Sequence, residues 1–321
     1  MSGVHISIID PFYPSIIDVI RRSLPQGWTL SVAAEPTAEA RAAVAREADV
    51  IFVMATPLPA ELLRAAPKLR FVQKLGIGVD RIDTDYCREN GIPVARLQGG
   101  NAIPVAEHTL MLILSSYRHL PMLDRETRAG QWDKEKVRAI NRQICGKTVG
   151  IVGFGAIGRR LAQLLAGFEA TVVYFDPQPA PADVEKELGV RRMDLDDLIA
   201  SSDIISLHMP LTKGTAGLIG AERIAAMKPD ALLVNCARGG VVDEDALAKA
   251  LKEGRLFGAA IDAFSAEPPL GNPLLELENT IVTPHCAGGS VDNFAGVIAR
   301  AVENTKTILG GGSLPPDDVV V

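Results

Sequence analysis

Residues 148–160 read TVGIVGFGAIGRR, in which an apolar strand pattern runs through a glycine-rich turn into an amphipathic helix. The three glycines of the turn have the G-x-G-x-x-G spacing. The first permits a tight turn, the second leaves room for a pyrophosphate, and the third lets the helix pack closely on the strand. In this context the segment predicts a Rossmann dinucleotide-binding domain, with the phosphates at the helix N-terminus. The residues predicted to bind the cofactor there are Gly153, Gly155, Ala156, Ile157 and Gly158.

A carboxylate, Asp176, follows at the end of the next predicted strand, TVVYFDP. At that position a carboxylate accepts hydrogen bonds from the adenosine ribose hydroxyls and repels a 2′-phosphate. The next residue is Pro177 rather than an arginine. By itself Asp176 is better explained as a plain turn aspartate before proline, but its register with the glycines predicts NAD, in preference to NADP, as the cofactor.

Strand and helix patterns alternate both before and after the glycine-rich segment. Apolar runs at 4–10, 29–34, 49–56, 69–76 and 92–97 precede it, and TVVYFDP, DIISLHMP, ALLVNCARGG, FGAAIDAF and NTIVTPH follow it. Near-continuous apolar strands separated by helices are typical of parallel sheets covered on both faces. The predicted fold class is therefore α/β with two doubly wound parallel-sheet domains, a flavodoxin-like substrate domain and a Rossmann NAD-binding domain.

The last predicted helix, residues 292–309, is interpreted as returning to the first domain. The substrate-binding domain is then discontinuous, comprising 1–103 and 288–321, and the NAD-binding domain, 104–287, is inserted into it. A long helix at 104–118 is apolar on more than one face, which favours a homodimer.

Composition and charge exclude several classes of protein. The net charge is −6 and no basic run exceeds a pair, so we expect no nucleic-acid partner. No apolar run approaches the ~20 residues of a membrane span, and the N-terminus lacks the basic region of a signal peptide. The four cysteines show no ligand spacing, so we expect reduced thiols, no metal and a cytoplasmic location.

Three polar residues stand at or just beyond the ends of predicted strands: Arg238, Glu267 and His285. Individually these positions are compatible with a loop charge, a solvated glutamate and a surface histidine. Behind a dinucleotide fingerprint their combination favours a catalytic set.

Motifs along nearly the whole chain resemble the D-isomer-specific 2-hydroxyacid dehydrogenases. They are LGIGVDRID (75–83), NAIPVAEHTLMLIL (101–114), VGIVGFGAIGRRLA (149–162), LHMPLTKGT (207–215), LLVNCARGGVVDEDALAKAL (232–251), AAIDAFSAEPP (259–269) and TPHCAGG (283–289). The resemblance implies an NAD-dependent enzyme that interconverts a small 2-hydroxy acid and its 2-keto acid by hydride transfer.

The resemblance also implies roles for individual residues. Arg238 binds the substrate carboxylate and polarises the 2-keto oxygen, while His285 donates the proton to that oxygen. Glu267 pairs with His285 and favours its protonated form. The backbone amides of Ile77 and Gly78 bind the substrate carboxylate. The residues implied to contact the cofactor beyond the fingerprint are Pro210, Thr215, Cys236 and Asp262.

The substrate within this class stays open. Lys74 stands where phosphoglycerate dehydrogenases often have an arginine facing the substrate phosphate, so it either serves a distal anion or simply ends a strand in solvent. Asn101-Ala-Ile-Pro departs from the small hydroxyl residues often seen there. These features favour a short substrate such as glyoxylate or hydroxypyruvate, with 3-phosphoglycerate dehydrogenase-like activity as the alternative.

Two other functions are compatible with parts of this pattern. A non-catalytic NAD-sensing protein, like the corepressors of this fold, can keep all three catalytic residues. A hydrolase of the S-adenosylhomocysteine type needs a cysteine- and histidine-rich substrate domain, which the sequence lacks. Two further histidines, His108 and His208, are interpreted as structural.

Overall fold

The computed structural model describes residues 3–321, which divide into two compact units by their internal contacts. Unit 1 comprises Met1–Asn101 and Ser290–Val321, and unit 2 is Ala102–Gly289.

Unit 1 contains a five-stranded parallel sheet. Its strands are β1 (His5–Ile8), β2 (Thr29–Val32), β3 (Val50–Val53), β4 (Phe71–Lys74) and β5 (Val94–Ala95). Its helices are α1 (Pro14–Ser23), α2 (Ala38–Ala45), α3 (Ala60–Arg64), α4 (Thr84–Glu89) and α13 (Val291–Leu309), and Pro316–Asp318 is a short 3-10 turn. The strand order β2-β1-β3-β4-β5 is that of flavodoxin-like folds.

The last helix, α13, belongs to the core of unit 1. Ile298 and Ala301 on its buried face pack with Ile6 and Phe52 of the sheet. The same helix carries Asn304, whose amide donates a buried hydrogen bond of 3.0 Å to Gln73 of β4. The chain therefore returns to its first unit after completing the second.

Unit 2 contains a seven-stranded parallel sheet. Its strands are β6 (Thr148–Val152), β7 (Thr171–Phe175), β8 (Arg191–Arg192), β9 (Ile204–Leu207), β10 (Leu232–Asn235), β11 (Gly258–Ile261) and β12 (Thr280–Val282). Its helices are α5 (Ala102–Tyr117), α6 (Leu120–Arg128), α7 (Lys134–Ile140), α8 (Ala156–Ala166), α9 (Ala182–Leu188), α10 (Leu195–Ser201), α11 (Ala221–Ala226) and α12 (Glu244–Lys252), with a 3-10 turn at Pro273–Glu276. The strand order β12-β11-β10-β9-β6-β7-β8 reverses direction at β6, as in Rossmann folds.

The buried strands of unit 2 explain its apolar sequence runs. All four residues of β9, of β10 and of β11 are buried, because helices cover both faces of the sheet. On one face α5 packs against α8, and both helices contribute to one apolar cluster with β6. The predicted fold class is confirmed, whereas α6, α7 and β8 were not predicted from the sequence pattern.

Side chains that begin helices follow the expected capping chemistry. Thr37, Asp83, Asp243 and Ser290 each accept a hydrogen bond from the backbone N–H three residues later. Among the helices of residues 3–321, none combines the length and apolar character needed to span a bilayer.

Candidate active site

The glycine-rich turn between β6 and α8 is shaped by close backbone contacts. Gly153 has φ +95°, and a Cβ there would lie 2.6 Å from the backbone carbonyl of His208. A Cβ on Gly158 would lie 2.4 Å from the carbonyl oxygen of Gly153, so only glycine lets α8 approach the turn. A Cβ on Gly155 would meet nothing within 4 Å. The open space at Gly155 fits a ligand phosphate at the helix N-terminus.

Asp176 lies directly beyond β7 and is tied to the glycine-rich turn. One carboxylate oxygen accepts the N–H of Phe154 at 2.8 Å, and the other accepts the N–H of Gln178 at 3.0 Å. Arg192 of β8 donates to the backbone carbonyl of Asp176 from Nε at 3.3 Å and from Nη2 at 3.1 Å. A guanidinium therefore lies against the backbone of the predicted ribose-binding residue, a contact that the adjacent Pro177 did not indicate.

His208, just after β9, lies beside the same turn. Its Nε2 pairs with Ser206 Oγ at 2.8 Å, and burial lowers the pKa of the ring to about 3, so the ring is neutral. Among residues 3–321, its buried Nδ1 has no hydrogen-bond partner. A buried nitrogen without a partner is rare in folded proteins and fits a site that a ligand completes.

Three more predicted cofactor residues follow β9 and β10. Thr215 Oγ1 donates to the carbonyl of Pro210 at 2.6 Å and accepts the N–H of Thr212 at 2.7 Å, which closes an exposed loop. Cys236 is buried just after β10, and burial raises the pKa of its thiol to about 12, so it is an unreactive packing residue. With the open turn and Asp176, these positions fit an NAD molecule lying across the carboxyl ends of the strands.

Glu267 and His285 form a close polar pair in unit 2. Glu267 Oε1 lies 2.7 Å from His285 Nδ1, which leaves the Nε2 side of the ring directed away from the carboxylate. The side chain of His285 is 41% exposed, whereas that of Glu267 is 20% exposed. The backbone of His285 has φ +51°, and its N–H donates to the carbonyl of Asp262 at 2.8 Å. An exposed imidazole held by a half-buried carboxylate is the arrangement of an oriented general acid.

The loop that carries Arg238 is fixed by a buried asparagine that the sequence analysis did not identify. Asn235, at the end of β10, donates to the carbonyl of Arg238 at 3.1 Å and accepts the N–H of Ala237 at 3.1 Å. The next residue, Gly239, lies so close to Phe264 that a Cβ would sit 1.9 Å from its carbonyl. The Arg238 loop is thereby packed on the backbone segment that leads to Glu267.

Asp262, directly after β11, is 1% exposed and organises the segment around His285. Its carboxylate accepts the hydroxyl of Thr283 at 2.6 Å and the backbone N–H groups of Cys286 and Ala287, each at 3.0 Å. His108 Nε2 of α5 lies 3.6 Å from the carboxylate. The sequence interpretation of His108 as a packing residue did not include this contact, because residues 108 and 262 are far apart in the chain.

The predicted substrate residues of unit 1 follow β4. Ile77 and Gly78 lie in a half-buried loop. Lys74 is also half-buried, and its ammonium donates to the carbonyl of Met54. The structure therefore does not support the alternative in which the Lys74 side chain simply ends the strand in solvent.

Comparisons with known proteins identify the family of the chain. Residues 110–287 match the family model described as D-isomer specific 2-hydroxyacid dehydrogenase, NAD binding domain. The chain is 37% identical to D-3-phosphoglycerate dehydrogenase of Mycobacterium tuberculosis over 98% of this chain and 58% of the relative. It is 38% identical to glyoxylate reductase of Korarchaeum cryptofilum over 84% of this chain and 81% of the relative.

A solved structure with a similar fold matches nearly the whole chain. D-lactate dehydrogenase from Aquifex aeolicus, crystallised with NAD and lactic acid, is 28% identical over 96% of each chain, with a TM-score of 0.82. The chain spans about 58% of the length of the phosphoglycerate dehydrogenases it matches. With a family model that covers more than half of the chain and relatives of this identity, the chain belongs to the D-isomer-specific 2-hydroxyacid dehydrogenase family.

Proposed function

We propose that this protein is an NAD-dependent oxidoreductase that interconverts a D-2-hydroxy acid and its 2-keto acid. The observation that carries the proposal is the Glu267–His285 contact of 2.7 Å, which lies in the same unit as an open glycine-rich turn and Asp176. The family supports the same reaction class, and the relatives include glyoxylate reductase and D-3-phosphoglycerate dehydrogenase.

Three residues have direct roles in the proposed reaction. Bound NADH supplies the hydride for the 2-keto carbon. Arg238 binds the substrate carboxylate and polarises the keto oxygen with its planar, charged fork. His285 gives the proton on Nε2 to the same oxygen, so that the keto group becomes a hydroxyl. Glu267 orients the ring through Nδ1 and stabilises the charge that the protonated ring carries before the transfer.

The remaining predicted residues hold the cofactor and the substrate. The backbone N–H groups at the start of α8 bind the pyrophosphate, and Asp176 binds the adenosine ribose. Asp262 positions the nicotinamide carboxamide, and Pro210, Thr215 and Cys236 line the cofactor. On the substrate, the amides of Ile77 and Gly78 bind the carboxylate.

We propose a short substrate such as glyoxylate or hydroxypyruvate. The ammonium of Lys74 is already bonded to the Met54 carbonyl, and a distal phosphate would have to compete with that contact. The alternative, phosphohydroxypyruvate, is favoured by the identity to the phosphoglycerate dehydrogenases. A panel of 2-keto acids assayed with NADH on wild type and Lys74→Ala separates the two. A preference for the phosphorylated acid that disappears in Lys74→Ala would overturn the short-substrate proposal.

A second candidate function is a non-catalytic NAD sensor. The same panel tests it, because a sensor binds NADH but reduces no 2-keto acid. His285→Ala is the matched variant: it should bind NADH like wild type and lose roughly 10²–10⁴-fold in kcat. Turnover by His285→Ala near the wild-type rate would refute the assignment of the acid.

The predicted assembly and location complete the proposal. The apolar helix at 104–118 supports a homodimer, and the cysteine pattern supports a cytoplasmic location. The charge distribution and the lack of a long apolar run support the absence of nucleic-acid and membrane partners. Sedimentation equilibrium of the purified protein checks the subunit number, and a monomer at all concentrations would contradict the dimer.

A further inference from the structure

Three side chains from distant parts of unit 2 place a nitrogen, an oxygen and a sulfur atom together. They are His108 of α5, Asp262 after β11, and Cys286 after β12. Their ligand atoms all lie within 4.8 Å of one another, and His108 Nε2 is 3.6 Å from Asp262 Oδ1. Among residues 3–321, no other group of three such side chains reaches this spacing.

The spacing suits a small tetrahedral metal ion. Zinc bonds of about 2.0–2.3 Å to imidazole, carboxylate and thiolate put neighbouring ligand atoms ~3.3–3.8 Å apart. The His108–Asp262 distance already has that value. The cysteine sulfur has to approach further, and because Cys286 is exposed, its short side chain has room to move without repacking the core.

The other two ligands are held in place. Two backbone N–H groups, those of Cys286 and Ala287, fix the Asp262 carboxylate, and both contacts are 3.0 Å. His108 lies on a long helix, and its side chain is 14% exposed. Its Nε2 is 3.2 Å from the hydroxyl of Thr283, a contact that the ion would replace. Two fixed ligands and one adjustable ligand make a site that can close around an ion.

We propose that His108, Asp262 and Cys286 form a binding site for Zn²⁺, with a fourth position open to water. The ligand set selects the metal: a thiolate and an imidazole suit a borderline-soft cation, whereas Mg²⁺ and Ca²⁺ require oxygen ligands. The cysteine proton leaves to solvent when the sulfur binds. Hydride transfer from NADH needs no metal, so the ion would have no part in the proposed reaction.

An inhibitory role follows from the position of Asp262, and this step rests on the proposed function. That carboxylate is assigned to the nicotinamide carboxamide, and His285 directly precedes Cys286 in the chain. A Zn²⁺ ion on Asp262 and Cys286 therefore excludes the nicotinamide, and bound NADH excludes the ion.

Calorimetric titration of the tag-free, reduced protein with Zn²⁺, without cofactor or substrate, tests the site. Wild type should bind one Zn²⁺ per chain, and Mg²⁺ should produce no binding. Loss of a residue that only contacts a metal ligand weakens metal binding roughly 10–100-fold. Cys286→Ser and His108→Gln should each weaken Zn²⁺ binding by more than this, because each removes a ligand itself. Co²⁺ should add a thiolate-to-metal absorption band in wild type that Cys286→Ser lacks.

Cys145 supplies a matched control, because it is also exposed and its Sγ also lies beside a carboxylate, 3.8 Å from Glu169. Cys145→Ser should bind Zn²⁺ like wild type. The site is refuted if wild type shows no saturable binding, if Cys286→Ser binds as tightly as wild type, or if Cys145→Ser loses binding.

A second titration, at saturating NADH, tests the exclusion. Loss of Zn²⁺ binding supports it, and unchanged Zn²⁺ affinity overturns the inhibitory role. If NADH itself does not bind, the proposed function fails, whereas the first titration still decides the metal site.

Discussion

The side chain of Asp176 and the guanidinium of Arg192 together predict how this protein chooses between NADH and NADPH. The carboxylate should bind the ribose hydroxyls of NADH and repel a 2′-phosphate. Arg192 donates to the Asp176 carbonyl at 3.1–3.3 Å, so in the proposed binding mode its positive charge lies near a 2′-phosphate. The selectivity for NADH should therefore depend on the Asp176 carboxylate, whose negative charge opposes binding of a 2′-phosphate by the Arg192 guanidinium.

The substitution Asp176→Asn isolates the charge. The amide oxygen can still accept the N–H of Phe154, and water can satisfy the exposed N–H of Gln178. Hydrogen bonds to a charged group contribute about 1.5–3 kcal/mol and neutral ones about 0.5–1.5 kcal/mol. Losing about 1 kcal/mol at each of two ribose hydroxyls should weaken NADH binding about 30-fold.

The same substitution should strengthen NADPH binding. With the repulsion removed, a charge-assisted contact from Arg192 to the 2′-phosphate contributes about 1.5–3 kcal/mol, or about 10- to 150-fold in Kd. Fluorescence titrations of Asp176→Asn and of Asp176→Asn/Arg192→Ala with both cofactors measure this gain, which the second substitution should abolish.

The matched control is Arg191, the neighbouring residue of β8, which is also exposed but points to the opposite face of the strand. Asp176→Asn/Arg191→Ala should keep the NADPH gain. The reasoning is refuted if Asp176→Asn leaves the NADH-to-NADPH affinity ratio unchanged, or if the two arginine substitutions act alike.

Three further outcomes are expected from other residues. Glu267→Gln should lower kcat for keto reduction without changing the Kd for NADH, because the proposed role of the carboxylate is to orient and stabilise His285 and not to bind the cofactor; an unchanged kcat would contradict that role. Gly239→Ala should destabilise the fold by at least the 1–3 kcal/mol typical of overpacking, measured by denaturant unfolding, since its Cβ would overlap the Phe264 carbonyl. His208, whose pKa is lowered from 6.5 to about 3, binds a proton in the unfolded chain before it does so in the folded one, so its contribution to stability falls as the pH drops through that window. When the pH is lowered from neutral to 4, the free energy of unfolding of His208→Gln should fall less than that of wild type. A larger fall in the variant would refute this.

The fold was predictable because its signals are local. The apolar runs that became β9, β10 and β11 are buried on both faces, and a run of that kind indicates a parallel strand wherever it occurs. The glycine spacing likewise predicted a turn in which two of three positions have no room for a Cβ. In contrast, β8 has only two residues, both exposed arginines, and carries no apolar signal.

The candidate site was only partly predictable, for a different reason. Strand-end positions identified Glu267 and His285, and the structure places their side chains in contact. The contacts of Arg192 with Asp176 and of His108 with Asp262 join residues that are distant in sequence, and no local pattern marks them. The expectation of no metal rested on sequence spacing alone, whereas the proposed Zn²⁺ site is assembled by the fold.

The handedness of the product tests the central claim most directly. Purified protein should be incubated with NADH and the best 2-keto acid of the panel whose product is chiral, and the product should be resolved by chiral chromatography. The proposed function predicts the D-2-hydroxy acid, formed in a one-to-one ratio with NADH consumed and formed roughly 10²–10⁴-fold more slowly by His285→Ala. An L-2-hydroxy acid, or NADH binding without any reduced product, would contradict it.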